Sequence, residues 1–172
     1  MSLIKIVSPE NAEGEVAEAY SSFEKAKLAI PKSFMILSTS PGLVKIKRQI
    51  SDYYRNHPTL GFPLLSVIRY LVAKKFSYVS CRDFNRDLLK MQGMDETEIN
   101  NLESYPEQAP LEDRDRAMLA FVLKAIESPE SVKQEDVKVL RDLGWMDGDI
   151  VDAVYHGANM IGAGIIEKAF KI

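Results

Sequence analysis

Leu65-Ser66-Val67-Ile68-Arg69-Tyr70-Leu71-Val72-Ala73-Lys74-Lys75-Phe76-Ser77-Tyr78-Val79-Ser80-Cys81 is the stretch that decides the class of fold. Just before it, Pro63 suits a first helical turn, where its missing N–H has no intrahelical acceptor to lose. Leu64, Val67, Ile68, Leu71 and Val72 then recur at three- and four-residue spacings, the period of a helix face. Further on, Cys81, Phe84, Leu88 and Met91 make a second helical stripe. It stops at Gly93, a residue suited to the left-handed end of a helix.

The same reading extends in both directions. Ser8-Pro9 stands as cap and first-turn proline before Val16, Ala19, Tyr20 and Phe23, and Ser33 precedes a short helix or turn over Phe34 to Leu37. Ser40-Pro41 repeats the signal before Leu43 to Tyr54, and Pro58 and Gly61 interrupt the chain. After Gly93, Asp95 and Glu98 have the spacing of a capping box. Tyr105 to Pro110, with two prolines, is the hinge candidate. Met118, Phe121, Val122 and Ala125 form an amphipathic helix ending near Ser128-Pro129; Val137, Leu140 and Leu143 follow, closed by Gly144. Asp147 is the expected cap of a last helix with Ile150, Val154, Ala158, Ile161 and Ile165 inward. Leu3 to Val7 is the sole strand candidate, and no alternating run follows it to build a sheet. The expected fold is all-α, one domain over residues 1–172.

Composition agrees. Of 172 residues, 46% are hydrophobic and 27% charged, ordinary for a globular chain. A chain of this length buries roughly 70% of its unfolded surface and needs no disulfide or metal to fold. Lys and Arg total 22 against 25 Asp and Glu, so there is no cation excess to hold nucleic acid. The apolar run Phe34 to Leu37 is too short for a bilayer span or a secretory signal. The expectation is a cytoplasmic protein without nucleic-acid or membrane partners.

Few residues carry chemistry. Cys81 is the single cysteine, so no disulfide forms within the chain. With Ser80 as cap, its thiol lies in a first helical turn beside Arg82, which favours thiolate; on the stripe with Phe84 and Leu88 it reads instead as a small core residue. Tyr78, Cys81 and Asn85 share a helix face at i, i+3 and i+7. Asp149, Asp152 and His156 have that same spacing, superficially a metal-ligand pattern. Placed opposite the Ile150, Val154 and Ile161 stripe, they read as a solvated face, and no metal is expected. His57, before Pro58, reads as a solvated loop residue. Lys74, Lys75, Arg82, Arg86 and Lys90 alternate with Asp83 and Asp87, which predicts local ion pairing rather than an anion site. Gly157, Gly162 and Gly164 each cost about 1 kcal/mol in a helix interior, so with Ala158 and Ala163 they predict close helix packing within or between subunits, or a helix ending near Gly162.

Leu65 to Cys81, followed by Asn85 and Gly93, resembles the core of the carboxymuconolactone decarboxylase and alkylhydroperoxidase D family. That family shows an Arg-Glu pair, an apolar helix, Cys-x-x-Cys-x-x-x-His and a later Gly. The layout from Glu15 to Phe23, Ile30-Pro31, Pro41, Val132 to Val137 and Gly144 to Asp152 is similar too, so the resemblance covers most of the chain. Its second cysteine falls on Cys81, its first on Tyr78, its histidine on Asn85, its glutamate on or near Ser66 and its arginine on Leu65. No glutamate occurs between Glu24 and Glu96 to stand in for the acid.

The resemblance implies an AhpD-like bundle of about seven to nine helices, a homo-oligomer, and no cofactor. It further implies a thiol-dependent peroxidase of antioxidant type in which Cys81 is catalytic and Tyr78, Asn85 and Ser66 bind substrate. With one thiol, such an enzyme needs an external thiol as reductant. Two alternatives stay open. One is a catalytically degenerate oligomer that binds a small ligand. The other is a lactone decarboxylase-like enzyme, for which Arg69 is the cation nearest in sequence.

Overall fold

The computed structural model describes residues 2–172, and every regular element among them is helical, with no strand. The expected all-α class is what is found. Two compact units divide the chain, one holding the residues up to His57 together with Gly162–Ile172, the other Pro58–Ile161.

The first unit contains α1 (Gly14–Lys25), α2 (Lys32–Met35) and α3 (Pro41–Arg55). Ser8-Pro9 does not open α1. Pro9–Asn11 forms a separate 3-10 turn, and the chain then turns through Gly14 at φ 53°, a left-handed conformation that favours glycine. Val16, Ala19 and Tyr20 of α1 pack with Phe34 and Val44 as the unit's core. Phe23 meets Phe34 edge-to-face at 5.1 Å. Leu3 to Val7 forms no strand; at its end side chains satisfy the backbone, the Val7 N–H donating to Ser38 Oγ at 3.0 Å and the Tyr20 hydroxyl to the Val7 carbonyl at 2.9 Å.

The second unit is built around α4 (Phe62–Lys75). Nine of its residues are buried, Leu64–Ile68 and Tyr70–Ala73, so the helix is enclosed nearly all round rather than on one stripe. Packed on it are α5 (Val79–Met91), α6 (Glu96–Ser104) and α7 (Asp113–Glu127). α4 ends through Ser77 at φ 54°, whose N–H meets the Lys74 carbonyl while that of Tyr78 meets Ala73. This places Tyr78 as the residue before α5, so Ser80 is not the cap, although Cys81 still lies in the first turn. The inward face of α5 is Cys81, Asn85, Leu88 and Leu89; Phe84 is half-buried and Met91 is 63% exposed. The stripe is rotated because polar Asn85 is drawn inside by partners described below.

α6 carries the expected capping box, the Asp95 side chain accepting from the Glu98 N–H and the Glu98 side chain from that of Asp95, both at 2.8 Å. The Tyr105–Pro110 connection holds a short 3-10 turn inside the second unit, and the division between units falls elsewhere. α8 (Gln134–Asp142) follows, with Leu140 buried but Leu143 exposed. α9 (Asp147–Ala169) runs on through Gly162 without ending there. Its inward residues are Asp149, Ile150, Ala153, His156, Gly157 and Gly164, while Ala158 and Ile165 are exposed. Asp149 and His156 therefore are not on a solvated face. Asp147 pairs with Arg141 at 2.7 Å, and the Met146 N–H is capped instead by Asp149 at 3.0 Å. A Cβ on Gly157 would run into Ile126 and lie 3.1 Å from Val122, so close packing is real there; at Gly162 nothing lies within 4 Å.

Most of the basic residues on α4 and α5 are ion-paired: Lys74 with Glu103 at 2.5 Å, Lys75 with Glu127, and both Arg86 and Lys90 with Glu96. These partners come from other helices, whereas Arg82 pairs with its neighbour Asp83 at 2.6 Å. Among the described residues no helix is long and apolar enough to cross a membrane.

Candidate functional site

Arg69 is the centre of a polar network that sits within the α4 packing. It lies mid-helix between buried Ile68 and Tyr70 and is itself partly buried. Its Nε donates to Asn85 Oδ1 at 2.8 Å, and its Nη2 to Ser66 Oγ, one turn back, at 3.2 Å. Nη1 lies 3.1 Å from His156 Nε2. A guanidinium only donates, so His156 Nε2 accepts; the ring is the neutral tautomer with its proton on Nδ1. Burial lowers the Arg69 pKa to about 10, and no carboxylate counters that shift.

Asn85 ties this network to the thiol's helix. Its Nδ2 donates to the Cys81 carbonyl at 2.7 Å, closing one turn of α5, while its oxygen faces Arg69. Ser66, Asn85 and His156 are all buried. Cys81 is only 3% exposed and packs in a cluster with Ala73 and Tyr78, flanked by Phe76, Met160 and Ile161. As the third residue of α5 it precedes the first intrahelical bond, from the Arg82 N–H to the Tyr78 carbonyl, so the positive end of the helix dipole lies at the thiol. Tyr78 is also buried, and burial first and the neighbouring Cys81 second push its phenol pKa up. The phenol thus stays protonated: a donor, not a base.

Ser66, Tyr78, Cys81 and Asn85 are therefore gathered where α4 meets α5. Two further members join them: Arg69, which the sequence offers only as the cation nearest the decarboxylase-like site, faces the network, and His156, which the spacing places on a solvated face, is buried and reaches it from α9. The signal for His156 was the spacing Asp149, Ala153, His156, Gly157, a second face of α9 ending on a glycine that marks close approach to α4 and α7. The metal-like spacing does not assemble. Asp149 is engaged by Thr59 at 2.5 Å and by the Met146 N–H, and among the described residues no three His, Cys, Asp or Glu side chains form a metal cluster.

No protein-family model matches the chain, and no curated protein matches it in sequence. Solved structures do match in fold. The uncharacterized peroxidase-related protein of Silicibacter sp. TM1040 superposes with a TM-score of 0.77 at 18% identity, over 100% of this chain and 94% of that one. The alkylhydroperoxidase AhpD core of a peroxidase-related protein from Ralstonia eutropha JMP134 gives 0.75 at 18% identity, over 98% and 92%. A debrominase, crystallised as a cysteine-to-alanine variant with 2,3,4-tribromopyrrole, gives 0.77 at 13% identity, over 99% and 92%. The fold is thus the AhpD-like helical fold.

Proposed function

We propose that this chain is a member of the alkylhydroperoxidase D-like family in which Cys81 acts as the single thiol of a peroxide-reducing enzyme. The observation that carries the reading is the placement of Cys81 in the first turn of α5, beside a protonated Tyr78 and joined through Asn85 to the Arg69 cation. A helix N-terminus and nearby positive charge favour thiolate.

The chemistry is a two-electron step. The Cys81 thiolate attacks the distal oxygen of a hydroperoxide, the O–O bond breaks, and the thiolate becomes a sulfenic acid as the departing alkoxide takes a proton from Tyr78. With no second cysteine in the chain, an external thiol condenses with the sulfenic acid, releasing water and leaving a mixed disulfide. A second thiol exchanges to free Cys81, whose proton returns to the Tyr78 phenolate to restore thiolate and phenol, and the external thiols leave as their own disulfide. Ser66 and Asn85 bind substrate in this reading, and the working form is a cytoplasmic homo-oligomer. Light scattering on the purified chain tests the oligomer.

The burial of Cys81 among Phe76, Met160 and Ile161 favours a second reading, a binding protein whose thiol is inert. Steady-state peroxide consumption with a small thiol as reductant separates the two: turnover lost in Cys81→Ser supports the enzyme, and equal background rates support the binding protein.

A further inference from the structure

Arg69 is a cation without a counter-charge. Six other arginines are each paired with a carboxylate: Arg48, Arg55, Arg82, Arg86, Arg116 and Arg141. Arg114 stacks on Trp145 at 3.9 Å. Arg69 is held only by the neutral groups of Asn85, His156 and Ser66, with no Asp or Glu in ion-pair contact among the described residues. A guanidinium has five N–H donors; three are engaged here and two are left, the number that a carboxylate accepts in a forked pair.

The three neutral partners fix the plane of the guanidinium without neutralising it, which is how a site is pre-organised for an incoming anion. Beside it, the Phe62 ring lies 5.8 Å from the guanidinium carbon and is 49% exposed. A half-exposed apolar ring in cation–π contact with a partly buried guanidinium suits an anion that carries an apolar body.

We infer that Arg69 is the recognition cation for a small organic carboxylate, its two oxygens on the free Arg69 donors and its apolar part against Phe62. The inference goes beyond thiol chemistry and does not require Cys81 to react.

The probes are benzoate, its neutral isostere benzamide, acetate and inorganic phosphate, titrated calorimetrically into the reduced full-length chain with no peroxide present. The expected result is saturable benzoate binding, at least tenfold weaker benzamide and phosphate, and at least tenfold loss in Arg69→Gln. Arg69→Lys, which keeps the charge but not the fork, is expected to fall between them, and Phe62→Ala to weaken benzoate more than acetate. Circular dichroism establishes that each variant is folded; should Arg69→Gln unfold, the Arg69→Lys and Phe62→Ala arms decide. Benzamide binding as well as benzoate, unchanged affinity in the arginine variants, or no saturable benzoate binding by the folded wild type overturns the assignment. Phosphate binding as tightly as benzoate overturns its organic part. Peroxide reactivity of Cys81 is read separately, so either proposal fails without the other.

Discussion

Asn85 shows how one side chain sets the character of the site. Its amide satisfies the Cys81 carbonyl with one end and Arg69 with the other, so the guanidinium is oriented but keeps its charge. Asn85→Asp replaces that oxygen by a carboxylate in contact with Arg69 Nε. The bond to the Cys81 carbonyl is lost and a carboxylate oxygen is left facing that carbonyl, while the partly buried cation gains its counter-ion; these oppose one another, and the melting temperature is expected to move by no more than about 2–4 °C. The same variant is expected to lose benzoate binding, and thermal unfolding beside calorimetry reads both. Glu103 offers a residue-level pH test. Burial pulls its pKa up, but Lys74 and the Tyr70 hydroxyl outweigh this and hold it below the usual carboxylate range. Because the folded value is the lower one, the stabilisation is present above the unfolded value near ~4.3 and lost as pH falls through the folded one. Glu103→Gln is therefore expected to cost about 1 kcal/mol at pH 7, with the gap to wild type closing in acid; urea titrations at pH 7 and in acid check it.

At the scale of elements, α9 separates what spacing reveals from what it hides. The helix and its glycines are legible, but apolar period alone sets the expected inward face and puts the polar Asp149 and His156 outside. Periodicity weighs hydrophobicity alone. It has no means of seeing that Thr59 and Arg69 supply partners that make those two side chains stable inside. On α5 the apolar period puts Phe84 and Met91 on the stripe, and the structure leaves one half-buried and the other exposed, while Asn85 holds the Cys81 face that its spacing gives it. By contrast, the capping box of α6 was fully legible, since all of its partners lie within four residues. Two of the α9 glycines give opposite expectations. Gly157→Ala is expected to destabilise by about 1–3 kcal/mol, because its Cβ meets Ile126 and Val122. Gly162→Ala has open space and is expected to stabilise by up to about 1 kcal/mol through helix propensity. Chemical denaturation of the two single variants reads the sign of each.

Across the whole molecule, the all-α class and most helix boundaries followed from proline and glycine punctuation and apolar period. The composition of the site did not. Tyr78, Cys81, Asn85 and Ser66 could be named from a resemblance at motif positions. What joins them is Arg69, whose orientation depends on His156, 87 residues away in sequence. That contact is tertiary, and no local rule reports it. The result is an AhpD-like helical fold in which one partly buried cation holds both Ser66 and Asn85.

Sulfenic-acid trapping at Cys81, read by intact mass under graded hydrogen peroxide across pH, tests the central claim most directly. The account predicts saturable labelling of the folded protein at low peroxide, with an apparent pKa below ~8.5, absent in Cys81→Ser and slowed in Tyr78→Phe. Labelling that occurs only after denaturation would contradict it and leave Cys81 as a core residue of a binding protein.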